Sequence, residues 1–222
     1  MAFREAEVSI PGGDVEFAAT MASPSGPAAF VVFAHGSGSS RHSPRNRFVA
    51  AALQRAGLGT LLVDLLVGHE EADRANVFDI ELLGGRLIAA VGWLNARPEA
   101  AGQPIGLFGA STGAGAAVWA AADPSISVDA VVSRGGRPDL AGDRLADVRA
   151  PTLLIVGGAD TRVIELNRLA LARLTCPAEL TIVPGATHLF EEPGTLEEVA
   201  TLARDWFLTH LARDPFSSAA TD

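Results

Sequence analysis

The sequence predicts an α/β fold, with a mostly parallel sheet of about eight strands and helices on both faces. Short apolar runs of strand length alternate with longer helical patterns, which is typical of repeated βαβ units. Runs such as residues 28–34 are apolar throughout, which indicates strands buried on both faces of a parallel sheet. With 222 residues, 48% hydrophobic and 19% charged, the chain can form one domain with a sizeable core. We expect that domain over residues 1–212 and a flexible tail over residues 213–222.

The predicted elements begin with a hairpin at one edge of the sheet. Its strands, residues 5–10 and 15–22, flank a Pro-Gly-Gly-Asp turn. Six buried strands follow, over residues 28–34, 60–66, 105–108, 128–133, 152–156 and 179–183. Helices are predicted over residues 46–56, 78–96, 112–122, 164–174 and 197–211, with a short helix and loops within 134–148. Because that last connection is short, no separate cap domain is predicted.

One stretch joins the third buried strand to its helix and carries a catalytic motif. Gly109-Ala110-Ser111-Thr112-Gly113 matches G-x-S-x-G, in which a serine on a tight strand-to-helix turn exposes its hydroxyl above the sheet. An apolar strand before the motif and an Ala-rich helix after it are the context that the motif requires. The alternative is an ordinary turn in which Ser111 only caps the helix. We predict that Ser111 is a nucleophile.

A serine nucleophile needs a general base close to its hydroxyl. The loops that follow parallel strands meet at one edge of the sheet, where ligands bind. Of the 5 histidines, His188 lies in the loop after the last strand and is the predicted base. The alternative is a solvent-facing loop histidine. His210 falls within the final helix and His35 in a turn, while His42 and His69, in polar loops, remain minor candidates.

The base in turn needs an acid that fixes its tautomer and stabilises its protonated form. Asp160 follows the strand over residues 152–156 in a Gly-Gly-Ala-Asp turn, and the chain order serine, aspartate, histidine is a known triad order. The alternative is that Asp160 caps the following helix, and one side chain cannot do both jobs well. Asp139 and Asp143, after the preceding strand, are the next candidates.

An acyl-transfer site also needs two donors for the negative charge that forms on the carbonyl oxygen. The backbone N–H of Thr112, directly after the serine, is the first predicted donor. The second is the N–H of Ser37, in the loop after the first buried strand, with Gly36 as the next candidate. Gly36 and Gly38 would allow that backbone to approach the substrate closely.

Four arginines fall on or near the same edge of the sheet: Arg41, Arg45, Arg134 and Arg137. The planar guanidinium donates hydrogen bonds in pairs, which suits carboxylate and phosphate groups. We therefore predict Arg41 and Arg134 as substrate-binding residues and an acidic substrate as a hypothesis. The alternative is that the arginines pair with loop acids such as Asp139.

The composition argues against several classes of function. All 17 basic residues are arginine, which removes Schiff-base chemistry, a Ser–Lys dyad and a Walker A loop. A net charge of −9 argues against nucleic acid and anionic membranes as partners, and no apolar run could cross a bilayer. No dinucleotide motif follows a strand, and residues 69–71 are interpreted as a solvated loop, so no cofactor or metal is predicted. The acidic start and the single Cys176 predict a cytoplasmic protein.

Taken together, the motifs resemble the α/β-hydrolase superfamily. The resemblance rests on residues 35–38 (His-Gly-Ser-Gly), residues 109–113, Asp160 and residues 184–188 (Pro-Gly-Ala-Thr-His), and it extends over about residues 5–212. The compact size is most similar to the dienelactone-hydrolase-like branch. The namesake of that branch uses cysteine as its nucleophile, whereas this chain has serine.

This resemblance implies a serine esterase without a cofactor. It would cleave small or short-chain carboxylic esters or lactones through an acyl-enzyme on Ser111, with a small-molecule ester as its substrate. The sequence leaves the oligomeric state open between a monomer and a homodimer. Thioester or amide hydrolysis is an alternative within the fold. A non-catalytic ligand-binding module on a hydrolase scaffold is an alternative of another class.

Overall fold

A computed structural model describes residues 3–212, so the predicted tail lies outside the described part of the chain. The strands are β1 (Phe3–Pro11), β2 (Glu16–Pro24), β3 (Phe30–Ala34), β4 (Gly59–Val63), β5 (Ile105–Ala110), β6 (Ala130–Arg134), β7 (Thr152–Gly157) and β8 (Ala178–Val183). The helices are α1 (Pro44–Arg55), α2 (Gly68–Glu71), α3 (Arg74–Val77), α4 (Ile80–Asn95), α5 (Thr112–Ala121), α6 (Thr161–Leu171) and α7 (Thr195–His210).

The eight strands form one sheet in the order β1-β2-β4-β3-β5-β6-β7-β8. β1 and β2 form the predicted antiparallel hairpin, and β2 also runs antiparallel to β4. All pairings from β4 through β8 are parallel. The predicted α/β-hydrolase fold, with a mostly parallel sheet of eight strands and helices on both faces, is confirmed.

The apolar core lies on both faces of this sheet, because side chains alternate between the faces along each strand. Val32 of β3 and Leu107 of β5 pack in the cluster that α4 and α5 cover. Their neighbours Phe33 and Phe108 pack in the cluster that α1 and α7 cover, and the two rings lie 4.8 Å apart between centroids. All five residues of β3 are buried, as expected for a central parallel strand.

The register of the parallel strands brings the predicted site loops together. Ala110 at the end of β5 pairs with Arg134 at the end of β6, and Gly157 of β7 pairs with Val183 of β8. Because these strands run in the same direction, the loops after them emerge at one edge of the sheet. That edge carries all the side chains predicted to do chemistry.

The end of β4 differs from its prediction because of a contact with the loop after β3. The strand stops at Val63 rather than at residue 66, and the N–H of Leu65 donates to Nε2 of His35 at 3.1 Å. The chain beyond β4 therefore turns toward the loop after β3 and lines the site instead of continuing the sheet.

The stretch predicted as a polar loop over residues 67–77 holds two short helices, α2 and α3. Within it, Glu70 is not solvated: its carboxylate lies 2.6 Å from Nη2 of Arg86, and both side chains are largely buried. The same guanidinium also donates to the carbonyl of Gly12 in the hairpin turn. Arg86 thus fixes this stretch against α4 and the sheet edge.

The connection between β6 and β7 contains a 3-10 helical segment over Pro138–Asp147, within the range where a short helix and loops were predicted. The segment is kinked at Gly142, whose φ of 59° and ψ of −130° are not helical. None of the helices over residues 3–212 has the length and apolar character needed to cross a membrane.

Candidate active site

Ser111 occupies a sharp turn between β5 and α5. Its φ of 52° and ψ of −122° lie in a region that side chains with a Cβ rarely adopt, and Phe190 is the only other described non-glycine residue with a positive φ. Its carbonyl accepts from the N–H groups of Ala114 at 3.1 Å and Arg137 at 3.0 Å, which hold the turn in place. The Ser111 side chain makes no capping hydrogen bond to α5, so the alternative interpretation as a helix cap is not supported.

The two glycines of the motif allow this turn to pack closely. A Cβ on Gly109 would lie 2.4 Å from Cα of Ala114, and a Cβ on Gly113 would lie 2.3 Å from the carbonyl oxygen of His35. A Cβ on Gly36 would in turn be 3.0 Å from Cβ of Ser111. The loop after β3 is therefore in close contact with the serine turn, and only residues without a side chain fit there.

His188 and Asp160 are joined by a short hydrogen bond. Nδ1 of His188 lies 2.6 Å from Oδ2 of Asp160, and the two side chains are 39% and 16% exposed. Asp160 stands at the N-cap position of α6, yet its side chain makes no capping hydrogen bond. The carboxylate therefore bonds to the histidine and does not cap the helix. Of its two predicted roles, this favours partner of the base over helix cap.

This hydrogen bond leaves Nε2 of His188 free to act on another group. With Nδ1–H donated to the carboxylate, Nε2 carries the lone pair of the neutral ring. A Cβ on Gly135, just beyond β6, would lie 3.7 Å from Cε1 of His188, so the ring sits beside the strand that neighbours Ser111. No hydrogen bond joins the Ser111 hydroxyl to His188 in the described part of the chain.

The other candidate acids have other partners. Asp139 pairs with Arg137 through two contacts of 2.8 Å, and this pairing raises the pKa of the Arg137 guanidinium. Asp143 is fully exposed and pairs with Arg173 at 2.6 Å. Neither carboxylate contacts a histidine, so Asp160 is the candidate that the structure brings to the predicted base.

Three of the other histidines, His35, His69 and His210, are placed less well for proton transfer to Ser111. The fourth, His42, lines the cavity that Thr112 also lines, and its ring makes no described hydrogen bond that would orient it. Both ring nitrogens of His35 are occupied, since Nδ1 lies 2.9 Å from the carbonyl oxygen of Gly36 and Nε2 accepts from Leu65. His35 therefore ties the loop after β3 to the end of β4. His69 is exposed on α2, and the His210 ring packs 4.3 Å from the Trp206 ring on α7.

The two predicted oxyanion donors lie next to each other but are not equivalent. The N–H of Thr112 begins α5 and has no acceptor within residues 3–212, as expected for the first turn of a helix. The N–H of Ser37, in contrast, donates to Oγ1 of Thr112 at 2.9 Å. Ser37 is thus at the predicted place, with its N–H already engaged.

A cavity of about 560 Å³ adjoins these donors. Its lining includes the polar segment over residues 35–40 with Thr112, and also Glu71. The apolar part of the lining consists of Leu65, Leu66, Val77 and Leu83. The cavity therefore offers both hydrogen-bonding and apolar surface directly beside the serine turn.

The four predicted arginines differ in their surroundings. Arg41 contacts the carboxylates of Asp64 and, at 3.1 Å, Glu7, so its guanidinium is taken up by ion pairs away from the cavity. These contacts give no support to Arg41 as a substrate-binding residue. Arg45 has one contact of 3.4 Å with Glu191, and Arg137 pairs with Asp139 as described above.

Arg134 has no acidic partner among residues 3–212. It is 7% exposed, its Nε and Nη1 atoms are buried without a hydrogen bond, and burial together with the nearby Arg45 lowers the pKa of its guanidinium to about 10. Its nearest described aromatic contact is the ring of Phe190, 5.9 Å from Cζ. A buried cation without a counter-ion is costly, which makes Arg134 a candidate for binding an anion.

Phe190 was not singled out from the sequence. It is buried, has a φ of 54°, and follows His188 by two residues, so it anchors the loop that carries the base. The only signal was a large apolar residue in a loop of small and acidic residues. No group of three or more His, Cys, Asp or Glu side chains over the described range could hold a metal ion.

Comparison with known proteins identifies the family. The profile of the dienelactone hydrolase family matches residues 17–210. The crystal structure of a dienelactone hydrolase from Anabaena variabilis is 52% identical and superimposes with a TM-score of 0.90, over 94% of this chain and 99% of that one. Est1E from Butyrivibrio proteoclasticus superimposes with a TM-score of 0.80 at 16% identity, over 93% of this chain and 99% of its own, which is a similarity of fold.

A relative from Mycobacterium tuberculosis, found in two strains, carries the name "Putative phosphoribosyl transferase". It is 63% identical over 208 residues, which are 94% of this chain and 47% of the relative. This chain thus spans about half the length of these relatives. Because the family profile covers most of the chain and the A. variabilis protein matches it over nearly its whole length, the chain belongs to the dienelactone hydrolase family, in a branch with a serine nucleophile.

Proposed function

We propose that the chain is a serine hydrolase that cleaves small or short-chain carboxylic esters or lactones through an acyl-enzyme on Ser111. The single observation that carries the proposal is the 2.6 Å contact between His188 Nδ1 and Asp160 Oδ2, made by a carboxylate that leaves its helix uncapped. The strained turn at Ser111 supports it, since strain of this kind is typical of functional sites.

The proposed reaction begins with proton transfer from Ser111 to Nε2 of His188 as the serine oxygen attacks the ester carbonyl. Asp160 keeps Nδ1 protonated, so that Nε2 is the acceptor, and it stabilises the imidazolium that forms. His188 then returns the proton to the leaving alcohol, and water, activated by the same ring, releases the acid. The hydrogen bond between Ser111 and His188 is expected to form on substrate binding, as catalytic contacts are often longer in empty sites.

The cavity beside Thr112 supports a small substrate. Its volume of about 560 Å³ would hold a short acyl or alcohol portion, with the carbon chain on the leucine and valine side and polar groups near the serine loop. Dienelactone hydrolase is the name of the A. variabilis protein, and a lactone is therefore the first cyclic ester to test.

A panel of p-nitrophenyl esters of rising chain length, a lactone and a matched thioester would test this function. We expect hydrolysis of acetate and butyrate esters by the wild type, a decline for long chains, and only the background rate for Ser111→Ala. Cleavage of the thioester without the oxygen esters would favour the alternative reaction. No turnover of any substrate by folded wild type would favour a ligand-binding module.

The name of the M. tuberculosis relatives does not change this proposal for the present chain. The chain matches 47% of those proteins, and this matching part is a dienelactone hydrolase family domain. We assign the hydrolase chemistry to that part alone.

A cytoplasmic location is proposed from the sequence. Fractionation of cells that express the chain would test the location.

Arg134 is proposed to bind a negatively charged group of the substrate, whereas Arg41 is left out because of its ion pairs. Arg134→Gln is expected to lower kcat/KM for an ester with a free carboxylate about 10- to 100-fold, because a charge-assisted hydrogen bond is lost. Hydrolysis of the neutral ester of the same length should change by less than about threefold.

Arg137→Gln is the matched control, since this arginine lies at the same edge but already pairs with Asp139. It should affect the acidic and neutral esters alike. An equal loss on both esters in Arg134→Gln would contradict the binding role and indicate that Arg134 only supports the loop with Phe190.

A further inference from the structure

The contact between Ser37 and Thr112 changes which groups can stabilise the oxyanion. The N–H of Ser37 donates to Oγ1 of Thr112, 2.9 Å away, so in this arrangement it is not free to donate to a substrate oxygen. These residues are 75 positions apart in the chain, which means that the contact depends on the packing of two loops. Either the hydroxyl blocks this donor, or the hydroxyl itself serves in its place.

The packing around Thr112 argues against a hydroxyl that swings away. Thr112 is 5% exposed, and its neighbour Gly113 is so close to the β3 loop that a Cβ would lie 2.6 Å from the carbonyl oxygen of Ala34. Rotation about χ1 in a β-branched residue would bring the methyl group or a hydrogen to the position of the hydroxyl. The N–H of Ser37 would then lose its only described acceptor.

The hydroxyl of Thr112 can donate a hydrogen bond. A hydroxyl can accept one hydrogen bond and donate another at the same time. Oγ1 accepts from Ser37, and its own proton has no acceptor within residues 3–212. Thr112 also lines the cavity beside Ser111 and carries the free N–H at the start of α5. Both donors of this one residue are therefore available to a single oxygen at the serine turn.

We propose that Thr112 supplies both oxyanion donors, its backbone N–H and its side-chain hydroxyl, and that the N–H of Ser37 positions that hydroxyl. The tetrahedral oxygen accepts both hydrogen bonds, and no proton leaves Thr112 during the reaction. Donation from Ser37 polarises the hydroxyl and makes it a stronger donor. This inference rests on the proposed function, because it assigns a role in the same acyl transfer.

Thr112→Val and Thr112→Ser form the decisive pair of variants. Valine keeps the shape and the backbone N–H but has no hydroxyl, and kcat for a short-chain ester should fall about 100-fold with KM nearly unchanged. Serine keeps the hydroxyl and should retain kcat within about threefold. Thr112→Ala should match the valine variant and replaces it if the valine variant does not fold, as judged by its thermal unfolding.

One specific result would contradict this inference. If the hydroxyl only blocks the donor of Ser37, Thr112→Ala leaves that N–H open to the substrate, and kcat of Thr112→Ala will stay the same or rise. That outcome, or a loss confined to KM, would overturn the inference. A fluorophosphonate adduct on Ser111 of the wild type distinguishes failure of the proposed function from failure of this inference. Without the adduct the proposed function itself fails, whereas with it only the role of Thr112 is in question.

Discussion

Replacement of His188 by alanine is expected to lower kcat for a short-chain ester about 10⁶-fold, the loss that follows removal of the base from a serine triad. The physical reason is that the Ser111 hydroxyl is a weak nucleophile unless a base takes its proton. Initial rates with the acetate ester, measured at high enzyme concentration against a buffer blank, would give this value.

His69→Ala is the matched control, because His69 is exposed on α2 and makes no described hydrogen bond. Its kcat should stay within about twofold of the wild type. If His188→Ala retained a tenth of the wild-type rate, the base would have to be another group, and the proposed roles of both His188 and Asp160 would be contradicted.

Asp160→Asn should lower kcat about 10⁴-fold while the fold is kept. An asparagine can present its NH₂ group to Nδ1 of His188, which would favour the tautomer with the proton on Nε2. That tautomer cannot accept the proton of Ser111. Because the side chain of Asp160 makes no capping bond to α6, thermal stability should change little.

Asp139→Asn tests the alternative acid in the same assay. Asp139 pairs with Arg137 rather than with a histidine, so kcat of the Asp139→Asn variant should remain within about fivefold of the wild type. A large loss in Asp139→Asn together with a small one in Asp160→Asn would reverse the assignment.

The strand-to-helix turn at Ser111 and the order of the strands along the sequence could be predicted because their signals are local. A buried strand, a glycine-flanked serine and an Ala-rich helix are adjacent in the sequence, and their periodicities differ clearly. The ends of elements were less predictable. β4 ends early because Leu65 bonds to His35, a residue 30 positions away, and no local pattern contains that contact.

The role of Asp160 shows where sequence reasoning stops. A helix cap and a triad acid occupy the same kind of position after a strand, so the local sequence favours both. The decision depends on the loop after β8, which brings His188 to the carboxylate across 28 positions of chain. The long-range packing of the sheet thus selects one of two locally equivalent roles.

The arginines illustrate the same limit for charge. Arg41 and Arg134 both fall at the predicted edge, but only the order of the strands reveals that Glu7 and Asp64 reach Arg41. Arg134 instead lies near Phe190 and Arg45 and forms no ion pair with a described carboxylate. Residue type and spacing predict that a charge is near the site, whereas its partners are set by the tertiary fold.

Intact-mass analysis after exposure to a fluorophosphonate tests the central claim most directly, using wild type and Ser111→Ala side by side. The reagent reacts with a serine only where a base and oxyanion donors activate it. We predict one phosphonate adduct on the wild type and none on Ser111→Ala. No adduct on folded wild type, or an adduct that persists in Ser111→Ala, would contradict an activated nucleophile at this turn.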